Sequence, residues 1–230
     1  MAASKFAVLG VGKYGSQIAR DLAAKGAEVY AFDLSQDKIE DIKEDVALAV
    51  TLDTTDKKAL IAQKVDEMDA AIVAIGENFE AVVLTSLNLL DMGIKRVISR
   101  ASGTNQFRIL EKIGVQEILS PEAEVAHIVT EKLVNPSITA FLQLPDNYEI
   151  AEIKAPDGVA NRTLEEIDLV NKYGLTLITV KRAFEVEKEG QATTEEHIIG
   201  VPKAETVIYE TDTLVVFGSL KNVKKFIEIN

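Results

Sequence analysis

No cysteine occurs anywhere in the 230 residues, which excludes disulfides, thiol catalysis and cysteine-ligated zinc. Histidine is nearly absent as well, so only His127 and His197 could bring an imidazole to a metal. No run approaches the roughly eighteen apolar residues that a membrane-spanning helix needs, and residues 1–5 lead directly into a strand-like segment. The expectation is a protein neither secreted nor directly inserted in a membrane. Proline, glycine and serine show none of the excess that marks disorder, and neither an internal repeat nor a low-complexity segment is visible. Positive charge is in short supply: 25 Lys and Arg stand against 37 Asp and Glu, a formal net charge of −12. Such a chain repels nucleic-acid phosphates and anionic bilayers. Nucleic acid is therefore not an expected partner, any membrane association must run through a protein, and a cysteine-free chain fits a reducing cytoplasm.

What the chain does have is ordinary globular composition, with 47% hydrophobic and 27% charged residues. Its length predicts two domains, each able to bury a core. Short apolar runs at residues 6–9, 28–33, 46–52, 70–75, 96–99 and 117–119 read as strands. Helical patterns lie at 14–25, after Thr55, at 78–92, 105–113 and 121–134. Six strands with helical crossovers predict an α/β, Rossmann-like doubly wound parallel sheet over residues 1–136. Asn135 and Pro136 stop the last helix, and residues 137–146 read as a linker. From 147 to 230 the texture changes to a small α+β C-terminal domain, with strands at 149–154, 175–181, 206–209 and 213–217 and helices at 164–169 and 222–229. Glu210, Thr211 and Asp212 read as a turn. The charged stretch 185–196, around Gly190, reads as a solvated hairpin loop.

The most informative segment is Gly10-Val11-Gly12-Lys13-Tyr14-Gly15, directly after a strand and at the mouth of a helix. Gly10 suits a tight turn, Gly12 a close approach of backbone to a pyrophosphate, and Gly15 close packing of helix on strand. The free amides of the helix start attract an anion. Asp33 ends the second strand, where a carboxylate accepts hydrogen bonds from ribose hydroxyls and repels a 2′-phosphate. Nucleotide binding is the expectation, with NADP disfavoured.

A dehydrogenase needs a proton-exchanging group near its nicotinamide, and the sequence offers no convincing one. His127 sits in a helix, where a structural role is commoner, and His197 lies beside the charged stretch. The second domain has few aromatics and no cluster of histidines or paired carboxylates. The nucleotide is therefore read as a signal, not a reagent, and the chain as a non-enzyme. Two alternatives stay open: an NAD-dependent oxidoreductase, and a nucleotide or redox sensor for another transporter.

FAVLGVGKYG at residues 6–15, AFD at 31–33, AIVAIGEN at 71–78, VISRA at 97–101 and ILEKIGVQEILSPE at 109–122 resemble the regulatory subunits of Trk and Ktr potassium-uptake systems, built from an RCK domain. The likeness covers nearly the whole chain. It implies a cytoplasmic protein on the inner face of the membrane, bound to a membrane potassium-transporting subunit that it gates. Homodimers would assemble into an octameric ring whose shape responds to ATP, ADP or NAD(H).

Carried over by position, the resemblance implies that Gly10, Gly12, Lys13, Tyr14 and Gly15 hold phosphates and Asp33 the ribose. Asp53 and Thr54 would border the adenine, and Gly76, Glu77 and Asn78 the crevice. Members of the Ktr type often carry arginine where this chain has Lys13, which leaves the choice between ATP and ADP open. Arg100 would neutralise an outer phosphate, or be a strand-end surface arginine. Glu122 would help hold a divalent cation (Mg or Ca) between phosphates. Ser120-Pro121-Glu122 also reads as N-cap, first helical residue and dipole-stabilising acid, which alone accounts for it. Some relatives bind cyclic di-AMP in the C-terminal part. Ile167, Asp168, Tyr173 and Pro202 fall in the comparable region, but the stretch 185–196 departs from that pattern and no site is assigned.

Overall fold

The computed structural model describes residues 3–188 and 191–230; Met1, Ala2, Glu189 and Gly190 lie outside the described residues. The chain divides into two compact units, Met1–Glu124 and Val125–Asn230.

The first unit alternates strand and helix: β1 (Lys5–Leu9), α1 (Lys13–Ala24), β2 (Glu28–Asp33), α2 (Gln36–Ile42), β3 (Leu48–Thr51), α3 (Lys57–Ala62), β4 (Ala70–Val73), α4 (Phe79–Asp91), β5 (Val97–Arg100), α5 (Thr104–Ile113) and β6 (Glu117–Leu119). The six strands form one parallel sheet in the order β3-β2-β1-β4-β5-β6. This is the doubly wound sheet expected from the sequence. Period-two alternation explains why the strands are apolar throughout. Ala7 and Leu9 of β1 join a core with Phe32, Val73, Val82 and Leu89. Val8, between them, joins Val29, Ala31, Ile39 and Ile42 in a second core. Both faces are thus buried. The helix α2 escapes the sequence reading because only Ile39 and Ile42 of its seven residues are buried, too short a periodic signal to see.

The strand order reverses direction between β1 and β4, so the loops after these two strands diverge and leave a crevice at the carboxyl ends. Among the described residues of this unit, the fully buried polar side chains are hydroxyls in pairs, Thr54 with Thr85 and Ser86 with Ser99, each at 2.8 Å, while the part-buried Arg100 keeps its Nε without a partner.

The helix α6 (Pro121–Val134) carries the chain across the division at 124/125; the sequence reading placed the boundary after this helix, at 136. Residues 138–143, read as linker, form β7 (Ile138–Gln143). Then follow β8 (Tyr148–Lys154), β9 (Arg162–Thr163), α7 (Leu164–Ile167), α8 (Leu169–Tyr173), β10 (Thr176–Lys188), β11 (Gln191–Ile198), β12 (Val207–Ile208), β13 (Thr213–Ser219) and α9 (Leu220–Ile229). The main sheet here is antiparallel, in the order β11-β10-β13-β8-β7. Ile153, Leu175, Val180, Leu214 and Val216 pack beneath Val223 and Phe226 of α9.

The stretch 185–196 is not the loop expected from its charge. It is mostly paired strand, with Glu185 opposite Thr194, Phe184 opposite Glu195 and Ala183 opposite Glu196. β13 accompanies β10 only from Thr176 to Lys181, so the remainder is a two-stranded ribbon whose faces are largely wet.

Asp212, read as a turn residue, is buried. It accepts from Arg182 through both oxygens, Nε to Oδ1 at 2.8 Å and Nη2 to Oδ2 at 2.7 Å, and from the Tyr209 amide at 2.8 Å. Arg182 also donates to the Val207 carbonyl and lies 4.2 Å from the centre of the Tyr209 ring. By contrast, Glu149 of β8 is buried with no partner for its Oε1. Burial pushes its carboxyl above the usual range, Glu131 adds to the rise and Lys224 opposes it.

Candidate functional site

A cavity of about 860 Å³ opens at the carboxyl ends of β1, β2, β3 and β4, a size suited to a nucleotide-class ligand. Four loops and a short stretch beyond them supply its wall. After β1 come Gly10, Gly12, Lys13 and Tyr14; after β2, Asp33, Leu34, Ser35 and Lys38. β3 leads to Leu52, Asp53, Thr54 and Thr55, and β4 to Ala74 through Asn78 with Ala81. Arg100 and Glu122 complete it.

The glycine loop is built as its sequence asks. Gly10 has φ +94°, and a Cβ there would stand 2.8 Å from the Ile75 amide nitrogen, so only glycine lets the loops after β1 and β4 touch. A Cβ on Gly12 would meet nothing of the protein within 4 Å; the space above it belongs to the cavity. Gly12 is the N-cap of α1 and offers no side chain to the first-turn amides, and no acidic residue occupies that turn. Lys13 and Tyr14 of that turn line the cavity, and the free amides and dipole of a helix start attract an anion. Gly15 does not line the cavity. A Cβ there would lie 1.9 Å from the Gly10 carbonyl oxygen, so its contribution is the close seating of α1 behind the loop.

Asp33 does more than end a strand. Its Oδ2 accepts the Val11 amide and its Oδ1 the Ser35 amide, both at 2.9 Å, and Lys38 Nζ stands 3.6 Å away. The carboxylate thereby fastens the glycine loop to β2. A carboxylate has about four acceptor positions, so Asp33, which lines the cavity, keeps capacity for further donors.

Asp53 accepts the Thr55 hydroxyl at 2.7 Å and the Thr55 amide at 2.9 Å, which hold its carboxyl below the usual range. Thr54 is buried with its hydroxyl engaged by Thr85. Asn78 caps α4 by accepting the Ala81 amide at 3.1 Å, and Glu77 is exposed. Arg100 donates through Nη2 to Glu122, and its guanidinium carbon lies 5.7 Å from the centre of the Tyr14 ring.

For the divalent cation, the cavity rim offers Glu122, already paired with Arg100. Among the described residues no group of three or more His, Asp or Glu side chains could hold a metal. A cation at Glu122 would therefore draw most of its ligands from the phosphates it accompanied.

The family model of the TrkA-N domain matches residues 6–121. The Ktr system potassium uptake protein C of Bacillus subtilis (strain 168) is 32% identical over 222 residues, 96% of this chain and 95% of that protein. The chain belongs to the Trk/Ktr potassium-uptake family. The crystal structure of the GsuK RCK domain shares its fold, with a TM-score of 0.63 and 19% identity over 97% of this chain. The GsuK channel bound to NAD does so at 0.62 and 18% over 98% of this chain. This family member spans 46% and 39% of those two chains, respectively.

In this family member the structure gathers Gly10, Gly12, Lys13, Tyr14, Asp33, Asp53, Thr54, Gly76, Glu77, Asn78, Arg100 and Glu122 around one cavity. Leu34, Ser35, Lys38, Leu52, Thr55, Ala74, Ile75 and Ala81 line it too and were not singled out. Lys38 was hidden because its helix α2 was. Thr55 carried a local signal in the Asp53-Thr54-Thr55-Asp56 run, whose last residue caps α3 by accepting from Lys58 and Ala59. His127 and His197 are outside the cavity wall; each contacts an aromatic ring, Phe141 at 5.6 Å and Phe184 at 5.8 Å. In the region compared with cyclic di-AMP sites, Ile167 is buried, Asp168 separates α7 from α8, and Tyr173 hydrogen-bonds with Asn230. Among the described residues no helix is long and apolar enough to cross a membrane.

Proposed function

We propose that the chain is a non-catalytic regulatory subunit that binds an adenine nucleotide, ATP or ADP or NAD(H), and thereby controls a membrane potassium-transporting subunit from the cytoplasmic face. The reading is carried by one observation: an anion-attracting helix start and a β2-end carboxylate share a cavity of nucleotide size, in a chain related along its length to a potassium uptake protein. The GsuK channel, which shares the fold, is known in an NAD-bound form, and this supports a nucleotide as the ligand class.

Lys13, Tyr14 and the α1 amides would hold the phosphates, and the spare acceptor positions of Asp33 the ribose. The loop after β3 would border the base. A divalent cation at Glu122 would supply charge neutralisation between phosphates. Homodimers assembled into an octameric ring would let ligand binding act on the partner, because a ligand gates only through unequal affinity for two shapes. Cyclic di-AMP in the C-terminal unit is a further regulator that this reading accommodates.

Native mass spectrometry of the isolated protein, followed by titration with ATP, ADP and NADH, tests the proposal. A bound nucleotide and saturable binding are expected, with the chain co-purifying with a potassium-transporting membrane protein. Absence of binding by all three would overturn it, and substrate-dependent turnover of reduced nicotinamide would overturn its non-catalytic part.

A further inference from the structure

Glu149 lies on β8 between Gln143 of β7 and Gly218 of β13, so its strand neighbours bring it no charge. It is 5% exposed, and its Oε1 has no partner. Two helices supply the charges that act on it: α6 brings Glu131 and α9 brings Lys224. Every residue of α6 is exposed except Pro121 and Glu131, which are part-buried. Glu131 Oε2 accepts from Asn135 Nδ2 at 2.7 Å, and one turn earlier His127 stands edge-on to Phe141 of β7. The point at which α6 withdraws from water beside this sheet is thus a carboxylate, and it acts against a second carboxylate that is buried. A helix with so little buried surface is one whose seating a single charge can decide.

We infer that Glu149 and Glu131 form a proton-operated latch for α6: with a proton on Glu149 the helix is seated, and without it two like charges loosen the helix. Neighbouring carboxylates resist ionising together, and one retained proton puts an O–H donor where a second negative charge would stand. Lys224 opposes the effect from α9 without cancelling it, since burial and Glu131 hold the Glu149 carboxyl above the ordinary range. The proton therefore stays on Glu149 at a pH where free glutamates have lost theirs. Seating is complete in acid and is lost as pH rises through the raised folded value. The latch does not depend on what the cavity binds. It gives the chain a local response to proton concentration on the helix whose second residue, Glu122, lines the cavity.

Hydrogen exchange of the full chain from about pH 4.5 to about pH 8, with each rate normalised to its intrinsic value, tests the latch. The amides of α6 should exchange faster than those of β13, as they do when a helix opens on its own, and their protection should fall by about fivefold or more across the range, the worth of one unpaired buried acceptor. Glu149→Gln should hold α6 near its acid protection throughout. Glu131→Gln should shrink the fall, and Lys224→Gln should move it to higher pH, because each removes a charge that acts on Glu149 with opposite sign. His127→Gln should leave the pH dependence in place. The latch is overturned if α6 protection is flat with pH, if α6 exchanges no faster than β13, if Glu149→Gln keeps the fall, or if His127→Gln abolishes it.

Discussion

The two units bury polar groups in opposite ways. The first encloses neutral hydroxyl pairs, Thr54 with Thr85 and Ser86 with Ser99, which lose little on leaving water because each satisfies the other. The second encloses charge: Asp212 held by Arg182, and Glu149 with an oxygen left unpartnered. The buried pairs of the first unit should therefore add no pH dependence of their own and forgive polar substitution. In the second, stability depends on which protons are bound and on whether each charge keeps its partner.

The largest expected effect that sharpens this contrast is Asp212→Ala. It strips Arg182 of its bidentate acceptor and the Tyr209 amide of the carboxylate it donates to, and should cost about 3–5 kcal/mol in denaturant unfolding. Hydrogen exchange should report the loss along β10 and β13. A cost below about 1 kcal/mol, the range of a surface pair, would break the claim that charge organises this unit.

Next comes Gly15→Ala in the first unit, where the new methyl collides with the Gly10 carbonyl. Overpacking of this kind costs about 2–3 kcal/mol, with exchange rising in α1.

Glu149→Gln should stabilise. The folded carboxyl is raised by burial first and Glu131 second, with Lys224 opposing. Glu149 therefore contributes fully below the ordinary carboxylate range, and that contribution is lost as pH rises through the raised folded value. Glutamine mimics the protonated form, so the variant should match the wild type in acid and exceed it by about 1–2 kcal/mol near neutral pH, the cost of an unsatisfied buried acceptor. Melting temperatures across that range decide it; parallel pH profiles would remove Glu149 from the comparison.

The smallest effect is expected for Thr85→Val, which keeps the shape and leaves one hydroxyl of a neutral pair, for about 1 kcal/mol at any pH. A cost as large as that of Asp212→Ala would erase the contrast between the units.

The same difference governed what could be read from sequence. Strands buried on both faces are unbroken apolar runs, so β1, β2 and β4 were legible, as was the glycine loop whose spacing is mechanical. α2 was not, because it shows the core only Ile39 and Ile42. β7 was lost between Pro136 and Pro145, whose flanks suggested a linker. The β10–β11 ribbon was lost because its faces are wet and its glutamates looked like a loop. At the site, Gly10, Gly12 and Asp33 were visible as a local pattern. The Arg100–Glu122 pair and the clasp of Asp33 on Val11 join residues 22 apart in sequence, and only folding brings them together.

The ribbon beyond Lys181 has a consequence for solubility. Among the described residues, β10 past the end of its pairing with β13 has β11 on one side alone, so this ribbon presents backbone donors and acceptors along two flanks, the template on which sheets of separate molecules join. Glu185 and Glu196 project from that ribbon and are exposed, so an approaching copy meets its own sign of charge. The acidity that disguised the segment as a loop is what keeps its rims from seeding aggregates.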